Sequence, residues 1–202
     1  MSYVRGFLPW IAFAAVSGVA WQWAALLSLA IGAFFLVKER RAGASADGQI
    51  LDLGTVVYFT VLTVIAFADP HSPFQDYVSG ASSAWLALVA GGSLLVGRPF
   101  TLGIAKRSAP PALWQNPVFI RTSTVLAGVW TAAFTLSAIA TLLCEATGAV
   151  DALRILVQIL GFAVPMAFTR HYVKKVRARA VAAAATPAGP VVDPRAFPAA
   201  GR

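Results

Sequence analysis

The stretch STVLAGVWTAAFTLSAIATLLC, residues 123–144, decides the fold of this chain. It contains no charged side chain, and its length matches the roughly 20 residues that a helix needs to cross the hydrocarbon core of a bilayer. Further apolar stretches lie at residues 7–37, 53–68, 81–97 and 152–169. Charged or turn-forming residues lie between them, as expected for connections between helices. The pattern predicts an all-α integral membrane bundle of five or six transmembrane helices.

The overall composition indicates the same class of protein. Of the 202 residues, 58% are hydrophobic and 12% are charged, and this charged share is about half that of a typical soluble domain. A soluble domain with so few charged side chains would lack a sufficiently polar surface. The formal net charge of +8 comes from short basic clusters beside apolar stretches. Such clusters set membrane orientation, so we expect no nucleic acid among the partners.

The stretch at residues 7–37 is too long for one straight crossing. A single helix of this length would measure roughly 46 Å, against a hydrocarbon core of about 30 Å. It is either one strongly tilted or kinked span or a hairpin of two short helices. Gly18 can turn, and the Trp21-Gln22-Trp23 sequence suits the membrane interface. We predict a hairpin that turns within residues 18–23.

The connections between the apolar stretches alternate in charge. Basic residues follow the first stretch (Lys38, Arg40, Arg41), separate the third from the fourth (Arg98, Lys106, Arg107, Arg121) and follow the last (Arg170, Lys174, Lys175, Arg177, Arg179). The other connections carry the acidic residues Asp69, Asp76, Glu145 and Asp151. By the positive-inside rule, the basic connections and the C-terminus face the cytoplasm. Arg5 favours a cytoplasmic N-terminus as well, which requires an even number of crossings.

The chain is organised as one transmembrane helical domain at residues 1–179, followed by a tail at residues 180–202. The tail is rich in Ala and Pro and shows no apolar periodicity. Segments of this composition cannot bury enough apolar surface to fold. We therefore predict a disordered cytoplasmic tail.

The connection at residues 98–121, called the basic loop below, mixes apolar and basic side chains throughout. Pro99 suits the first turn of a short helix, on which Phe100 and Ile104 would share one face. Such a segment is expected to lie in the headgroup layer. We predict that it binds anionic lipid headgroups or an acidic partner segment through Arg98, Lys106, Arg107, Trp114 and Arg121. The alternative is that the loop only connects two helices.

Small residues recur in the third stretch, and small residues let membrane helices approach closely. We expect Gly91, Gly92 and Gly97 to support helix packing, and Gln158 to donate an interhelical hydrogen bond. This packing is intramolecular, or it joins copies of the chain or other membrane proteins. Pro165 lies inside the last stretch and predicts a kink there.

The sequence contains no recognisable constellation for catalysis. Asp69, His71 and Asp76 share one connection and could bind a divalent ion there, but a solvated loop is the preferred interpretation. His71 and His171 fall at opposite membrane faces, and Cys144 is the single cysteine. Ser93 follows two glycines, but an intramembrane serine nucleophile needs a base and no histidine lies at its depth. P-loop, dinucleotide and zinc motifs are absent from the sequence. We therefore expect no catalytic residue, no metal site and no cofactor.

The Arg98-Pro99-Phe100-Thr101-Leu102 segment, followed by a Pro and a Trp and then by a helix with Trp130 and Phe134, resembles a group of uncharacterised bacterial multispanning membrane proteins. The order of short spans also resembles the intracellular septation protein A family, small inner-membrane proteins linked to cell-envelope synthesis and division. The resemblance covers residues 7–172 in layout and residues 98–134 in motif.

This resemblance implies a multi-pass protein of the bacterial inner membrane with a non-enzymatic role in organising envelope or division components. The family has no established catalytic residues to carry over. The long Ala/Pro tail departs from its pattern. A small transporter or channel subunit is the alternative, and it would require a polar cavity at mid-bilayer. A lipid-modifying enzyme would require a cluster of acids and histidine at one interface.

Overall fold

The computed structural model describes residues 2–43 and 49–185, and within these ranges all regular structure is helical. The α-helices are α1 (Ser2–Val16), α2 (Trp21–Arg41), α3 (Ile50–Ala68), α4 (Val78–Leu95), α5 (Phe100–Lys106), α6 (Pro117–Ala146) and α7 (Asp151–Ala185). Short 3-10 helices occupy Pro73–Tyr77 and Pro111–Leu113. The predicted all-α class is confirmed.

In the described part of the chain, 5 helical segments are long and apolar enough to cross a membrane. They are Trp21–Arg41, Ile50–Ala68, Pro73–Leu95, Pro117–Ala146 and Ala152–Ala182. The apolar part of α1, Gly6–Val16, is shorter than a full span. The protein is therefore a multi-pass membrane protein built from long spanning helices and a shorter first helix.

The predicted hairpin in residues 7–37 is confirmed. The chain leaves α1 at Val16 and enters α2 at Trp21, so the turn lies where Gly18 was expected to provide it. The Nε1 atom of Trp21 donates a hydrogen bond to the carbonyl oxygen of Pro70 at 2.9 Å, which fixes the turn against the α3–α4 connection. The two helices are unequal, with 15 and 21 residues, because α2 continues through the basic residues that follow the apolar stretch.

The helices α2, α3, α4, α6 and α7 alternate in direction, so the connections gather at two ends of the bundle. One end, called the basic end, holds the C-terminus of α2, the N-terminus of α3, the basic loop and the C-terminal part of α7. The other end, called the acidic end, holds the turn after α1, residues 69–77 and the α6–α7 connection. Asp69, Asp76 and Glu145 lie at this end. In the part of the chain that the structure describes, Arg154 lies there as well. The charge alternation along the sequence thus becomes a segregation between the two ends of the molecule.

The core is an aromatic cluster centred on α1. The ring of Phe7 stacks on Trp130 of α6 with centroids 5.0 Å apart and meets the edge of Phe162 of α7 at 4.8 Å. Trp10 stacks on Tyr58 of α3 at 5.0 Å. The first helix is too short for an apolar span of its own, yet its aromatic side chains fill the centre of the bundle.

The polar atoms of these aromatic side chains are paired inside the bundle. The Nε1 atom of Trp130 donates to Thr169 Oγ1 at 3.1 Å, and that of Trp10 donates to Thr55 Oγ1 at 3.0 Å. The hydroxyl of Tyr58 lies 2.8 Å from Ser82 Oγ. Within a bilayer no water is present to satisfy such groups, so internal partners are required. The small polar residues of the apolar stretches provide them.

Close packing between α4 and α6 depends on small residues. A Cβ atom placed on Gly80 would lie 2.5 Å from Leu142 Cδ2, and one on Gly91 would lie 3.3 Å from Thr131 Cγ2. A larger side chain at either position would require the facing side chain on α6 to shift. Helix α6 begins with Pro117 in its first turn and with Asn116 as its N-cap, whose Oδ1 accepts from Val118 N at 2.8 Å.

Helix α7 ends later than the sequence indicated. It continues to Ala185, so residues 180–185 are helical and do not belong to the predicted disordered tail. The reason is the alanine run, since alanine has the highest intrinsic helix propensity. Residues 186–202 of the predicted tail lie outside the described residues.

Pro165 lies inside α7 with its side chain fully buried, and its predicted kink stays a prediction.

Candidate functional site

The first half of the basic loop packs into the bundle. Helix α5 contacts α1, α3, α4 and α6, and the exposed fractions of Phe100, Thr101 and Ile104 are 2%, 0% and 2%. Helix α5 is therefore buried among the neighbouring helices, whereas the sequence indicated a segment on the membrane surface. Its position in the headgroup layer stays a prediction. Phe100 and Ile104 do share a face of α5. That face fills a space between the neighbouring helices near the basic end and is therefore buried.

Two hydroxyl groups hold α5 in this position. Ser93 Oγ of α4 donates to Ala90 O at 2.6 Å and accepts the backbone N–H of Phe100 at 3.1 Å. Thr101 Oγ1 donates to Ser123 O of α6 at 2.6 Å. Ser93, considered in the sequence for its resemblance to a nucleophile, thus links the end of α4 to the start of α5. Pro99 is the residue before α5 and not part of its first turn.

The chain reverses between α4 and α5 at Gly97, whose φ of +72° lies in the left-handed region. The N–H of Arg98 donates to Ser93 O at 2.9 Å, which closes the end of α4 in the manner of a Schellman motif. A Cβ atom at Gly97 would meet no atom within 4 Å. Gly97 therefore serves as a turn residue, in contrast to its predicted role in helix packing.

Arg107 occupies the centre of an ion cluster. Its Nη2 atom lies 2.5 Å from Asp52 Oδ2, and its Nε atom lies 3.6 Å from Glu39 Oε2. The side chains of Arg107 and Asp52 have exposed fractions of 17% and 7%. The cluster joins α2, α3 and the residue after α5. The structure thus assigns Arg107 to two carboxylates, whereas the sequence suggested lipid headgroups.

Asp52 was not among the residues predicted from the sequence to form this site. The signal was present, because Asp52 is an acidic residue at the start of an apolar stretch at the otherwise basic end. A carboxylate in that position needs a cationic neighbour to offset its burial. Nothing local indicates which of the nearby basic residues supplies it, since Arg107 lies 55 positions along the chain.

The second half of the basic loop remains at the surface. The Lys106 ammonium lies over the Trp114 ring, 5.6 Å from its centroid, and Trp114 Nε1 donates to Ala109 O at 3.1 Å. Arg98 and Arg121 are exposed, the first beyond the end of α4 and the second in α6. Of the predicted binding residues, Lys106 and Trp114 therefore contact each other, and Arg98 and Arg121 lie on exposed surface at the same end.

The remaining residues predicted for helix packing have different environments. Gly91 faces Thr131 of α6, as described above, whereas a Cβ atom at Gly92 would meet nothing within 4 Å. Gln158 is half-buried on α7. Its predicted interhelical hydrogen bond does not occur among residues 6–43, 49–150 and 152–182, whose side chains the structure describes.

Gly92 opens into a groove between α3 and α4 with a volume of about 580 Å³. Its floor is formed where the two helices touch, at Gly54 and Trp85, with Trp85 Nε1 donating to Gly54 O at 2.9 Å. Apolar side chains form its walls, and Arg98 lies at its basic end. No sequence pattern predicted this groove, because it depends on how two helices lie against each other.

Helix α7 differs from the other spanning helices in its surroundings. Over its most apolar window, 11% of the residues are buried in the bundle, against 39% for α6. At 35 residues it is about 52 Å long, which exceeds a hydrocarbon core of about 30 Å. Its C-terminal part carries the basic residues Arg170, Lys174, Lys175, Arg177 and Arg179.

The described residues contain no group of three or more His, Cys, Asp or Glu side chains that could hold a metal ion. His71 lies in the connection at the acidic end, and His171 lies in the part of α7 at the basic end. The two histidines are thus at opposite ends of the bundle, as their sequence positions indicated.

Comparison with known proteins gave no matching family model, no matching curated protein and no matching solved structure. The resemblance to bacterial multispanning proteins and to the septation protein A family therefore stays a prediction from the sequence.

Proposed function

We propose that this protein is a non-enzymatic component of the bacterial inner membrane that organises other envelope or division components. In this proposal it binds them by helix packing along α7 and by a basic surface that faces the cytoplasm. The observation that carries the proposal is the construction of α7, which joins a largely uncovered apolar half to an exposed basic extension in one continuous helix.

The apolar half of α7 packs on α6 along one side and leaves the other side uncovered. Ile155, Ile159 and Val164 have exposed fractions of 57%, 57% and 59%. Lipid tails are as apolar as leucine, so a neighbouring helix replaces them only where it packs more closely. A long apolar face at the edge of a bundle offers a partner helix the room to do so without displacing any internal contact.

The basic half of α7 lies at the same end as the other exposed cations. Arg98 and Arg121 are exposed at this end, as are the basic residues in the last turn of α2, and the half-buried Lys106 lies there too. A surface with this charge attracts acidic segments and anionic headgroups over a distance of about one Debye length. The positive-inside rule supports a cytoplasmic position for this end. A partner would then contact the apolar half in the membrane and the basic half in the cytoplasm.

The transporter or channel alternative requires a polar site near the middle of the membrane. The groove between α3 and α4 lies toward the basic end, and most of its lining residues are apolar. It therefore gives the alternative no support, and we prefer the organising role.

Site-specific photocrosslinking in cells would test the proposal. A photoreactive residue at Ile159 on the uncovered side of α7 should form a discrete adduct with an envelope or division protein. The matched control is Leu136 of α6, which is 67% exposed and lies at similar depth, because Ser137 packs against Gly161 of α7. Leu136 should yield lipid adducts alone.

Charge reversal at Lys174 and Lys175 to Glu should reduce the Ile159 protein adduct, because the basic half of α7 would no longer attract an acidic partner. Lipid adducts alone at both positions would refute the proposal, as would a protein adduct that is unchanged by the charge reversal.

A further inference from the structure

The groove between α3 and α4 arises from two glycines with opposite effects. At Gly54 the helices meet so closely that an added Cβ atom would lie 2.9 Å from Val89 Cγ2. At Gly92 the missing side chain leaves space, since no atom lies within 4 Å of the Cβ position. Gly54 therefore lets the two helices touch at the floor of the groove, and Gly92 leaves the space that forms the groove itself.

On its α4 side the groove is about as long as one membrane leaflet is thick, whereas its α3 side, from Ile50 to Val57, is about 11 Å long. On the α4 side it runs from Trp85 to Val96, which is about 16 Å at 1.5 Å per residue. Half of a hydrocarbon core of roughly 30 Å is about 15 Å. Trp85 lies close to the middle of α4, and Val96 lies just beyond its end at Leu95. The groove thus extends from near mid-membrane to the basic end.

The walls of the groove are apolar and face the surrounding lipid. Leu53 and Val57 of α3 have exposed fractions of 48% and 43%, and Leu88 and Val96 on the α4 side have fractions of 68% and 74%. An occupant of this space must therefore be apolar along its whole length and able to enter from the side. An acyl chain meets both conditions.

The mouth of the groove is cationic. Arg98 is the charged residue of the lining and is exposed. Its backbone is held at the end of α4 by the hydrogen bond from its N–H to Ser93 O at 2.9 Å. A guanidinium group can bind a phosphate through two parallel N–H···O bonds, which makes arginine the preferred residue for this contact.

We propose that the groove binds one acyl chain of an anionic phospholipid from the leaflet at the basic end, with the lipid phosphate on Arg98. An acyl chain that enters the groove exchanges one apolar medium for another, so the hydrophobic effect contributes little to selectivity. Selectivity comes instead from the charge at Arg98. The inference goes beyond the proposed function, because it requires no protein partner.

Tryptophan quenching in bilayer discs would test the proposal, because Trp85 lies in the groove. The full-length protein is placed in phosphatidylcholine discs that contain a fixed fraction of brominated phosphatidylglycerol or brominated phosphatidylcholine. The difference in fluorescence quenching between the unmodified protein and Trp85→Phe reports how much of the groove is occupied by lipid. We expect phosphatidylglycerol to be preferred by about fivefold, the factor that corresponds to one basic residue near an anionic headgroup.

Two variants with matched controls separate the groove from the general surface. Gly92→Leu should fill the groove and abolish the Trp85 quenching by both lipids, whereas Gly128→Leu, at an open glycine on α6, should not change it. Arg98→Gln should remove the fivefold preference and keep the phosphatidylcholine signal. Arg154→Gln, which removes one arginine at the acidic end, should leave the preference intact.

Equal quenching by the two lipids in the unmodified protein would overturn the proposal, and so would an unchanged preference in Arg98→Gln. If Gly92→Leu converts a dimer into monomers without a change in quenching, the groove binds a second copy of the chain and the proposal is wrong. Should Gly92→Leu fail to fold, the Arg98→Gln result still decides, because Arg98 lies outside the helices.

Discussion

The ion cluster at the basic end allows a quantitative test of how α5 is held in the bundle. Removal of Arg107 by the Arg107→Gln substitution leaves the Asp52 carboxylate buried without its 2.5 Å partner. Breaking a buried ion pair in this way typically costs about 3–5 kcal/mol. Because the Arg107 side chain is 17% exposed, water offsets part of this cost. We therefore expect about 2–3 kcal/mol of destabilisation.

Glu39→Gln is the matched control for this prediction. Glu39 lies 3.6 Å from Arg107 and its side chain is 23% exposed. Its contribution should therefore be that of a partly solvated pair, about 1 kcal/mol or less. Loss of Glu39 is thus expected to destabilise the protein severalfold less than loss of Arg107.

A double-mutant cycle isolates the interaction between Asp52 and Arg107. The combined Asp52→Asn and Arg107→Gln variant should be more stable than the sum of the single effects indicates, because neither charge is then left unpaired. Reversible unfolding of the purified protein in mixed detergent micelles, followed by far-ultraviolet circular dichroism, provides the free energies. An Arg107→Gln variant within about 0.5 kcal/mol of the unmodified protein would refute the reasoning, since that is the range of neutral surface substitutions.

Three further predictions concern packing, topology and helix shape. Gly80→Val should destabilise the bundle by about 1–3 kcal/mol in the same unfolding assay, because the valine side chain would overlap Leu142. Gly128→Val should have little effect, because the space beside Gly128 is open. Equal losses of stability in the two variants would contradict the role of Gly80 in close packing. A reporter enzyme that is active only in the cytoplasm should be active when it is fused after Arg179. Activity of a reporter that works only outside the cytoplasm would contradict the proposed orientation. In an experimental structure the helix axes before and after Pro165 should differ by more than about 20°, as for other proline kinks, and a difference below about 10° would exclude the kink.

The burial of α5 changes how the basic loop is interpreted. In the sequence, Phe100 and Ile104 beside Lys106 and Arg107 resemble an amphipathic segment for the membrane surface. In the structure, the apolar pair fills space inside the bundle and Arg107 contacts two carboxylates. The surface that remains for lipids or partners is formed by Arg98, Arg121 and the Lys106–Trp114 pair.

The class of the protein, the position of the hairpin turn and the separation of charge along the chain could all be predicted from the amino-acid sequence. These features are local. Hydropathy over about 20 residues decides whether a helix enters the bilayer, and the turn residues at 18–23 act on their own neighbourhood. The distribution of Lys and Arg among the connections is likewise read directly from the chain.

The burial of α5, the partner of Arg107 and the groove that ends at Arg98 follow only from how the helices pack. Each depends on contacts between residues far apart in sequence, such as Asp52 with Arg107 and Gly54 with Val89. In a membrane, an apolar side chain is equally compatible with lipid and with another helix, because both surroundings are apolar. Hydropathy therefore identifies the helices but does not determine which of their faces are buried, and that choice is made by the packing of small residues and by the pairing of buried charges.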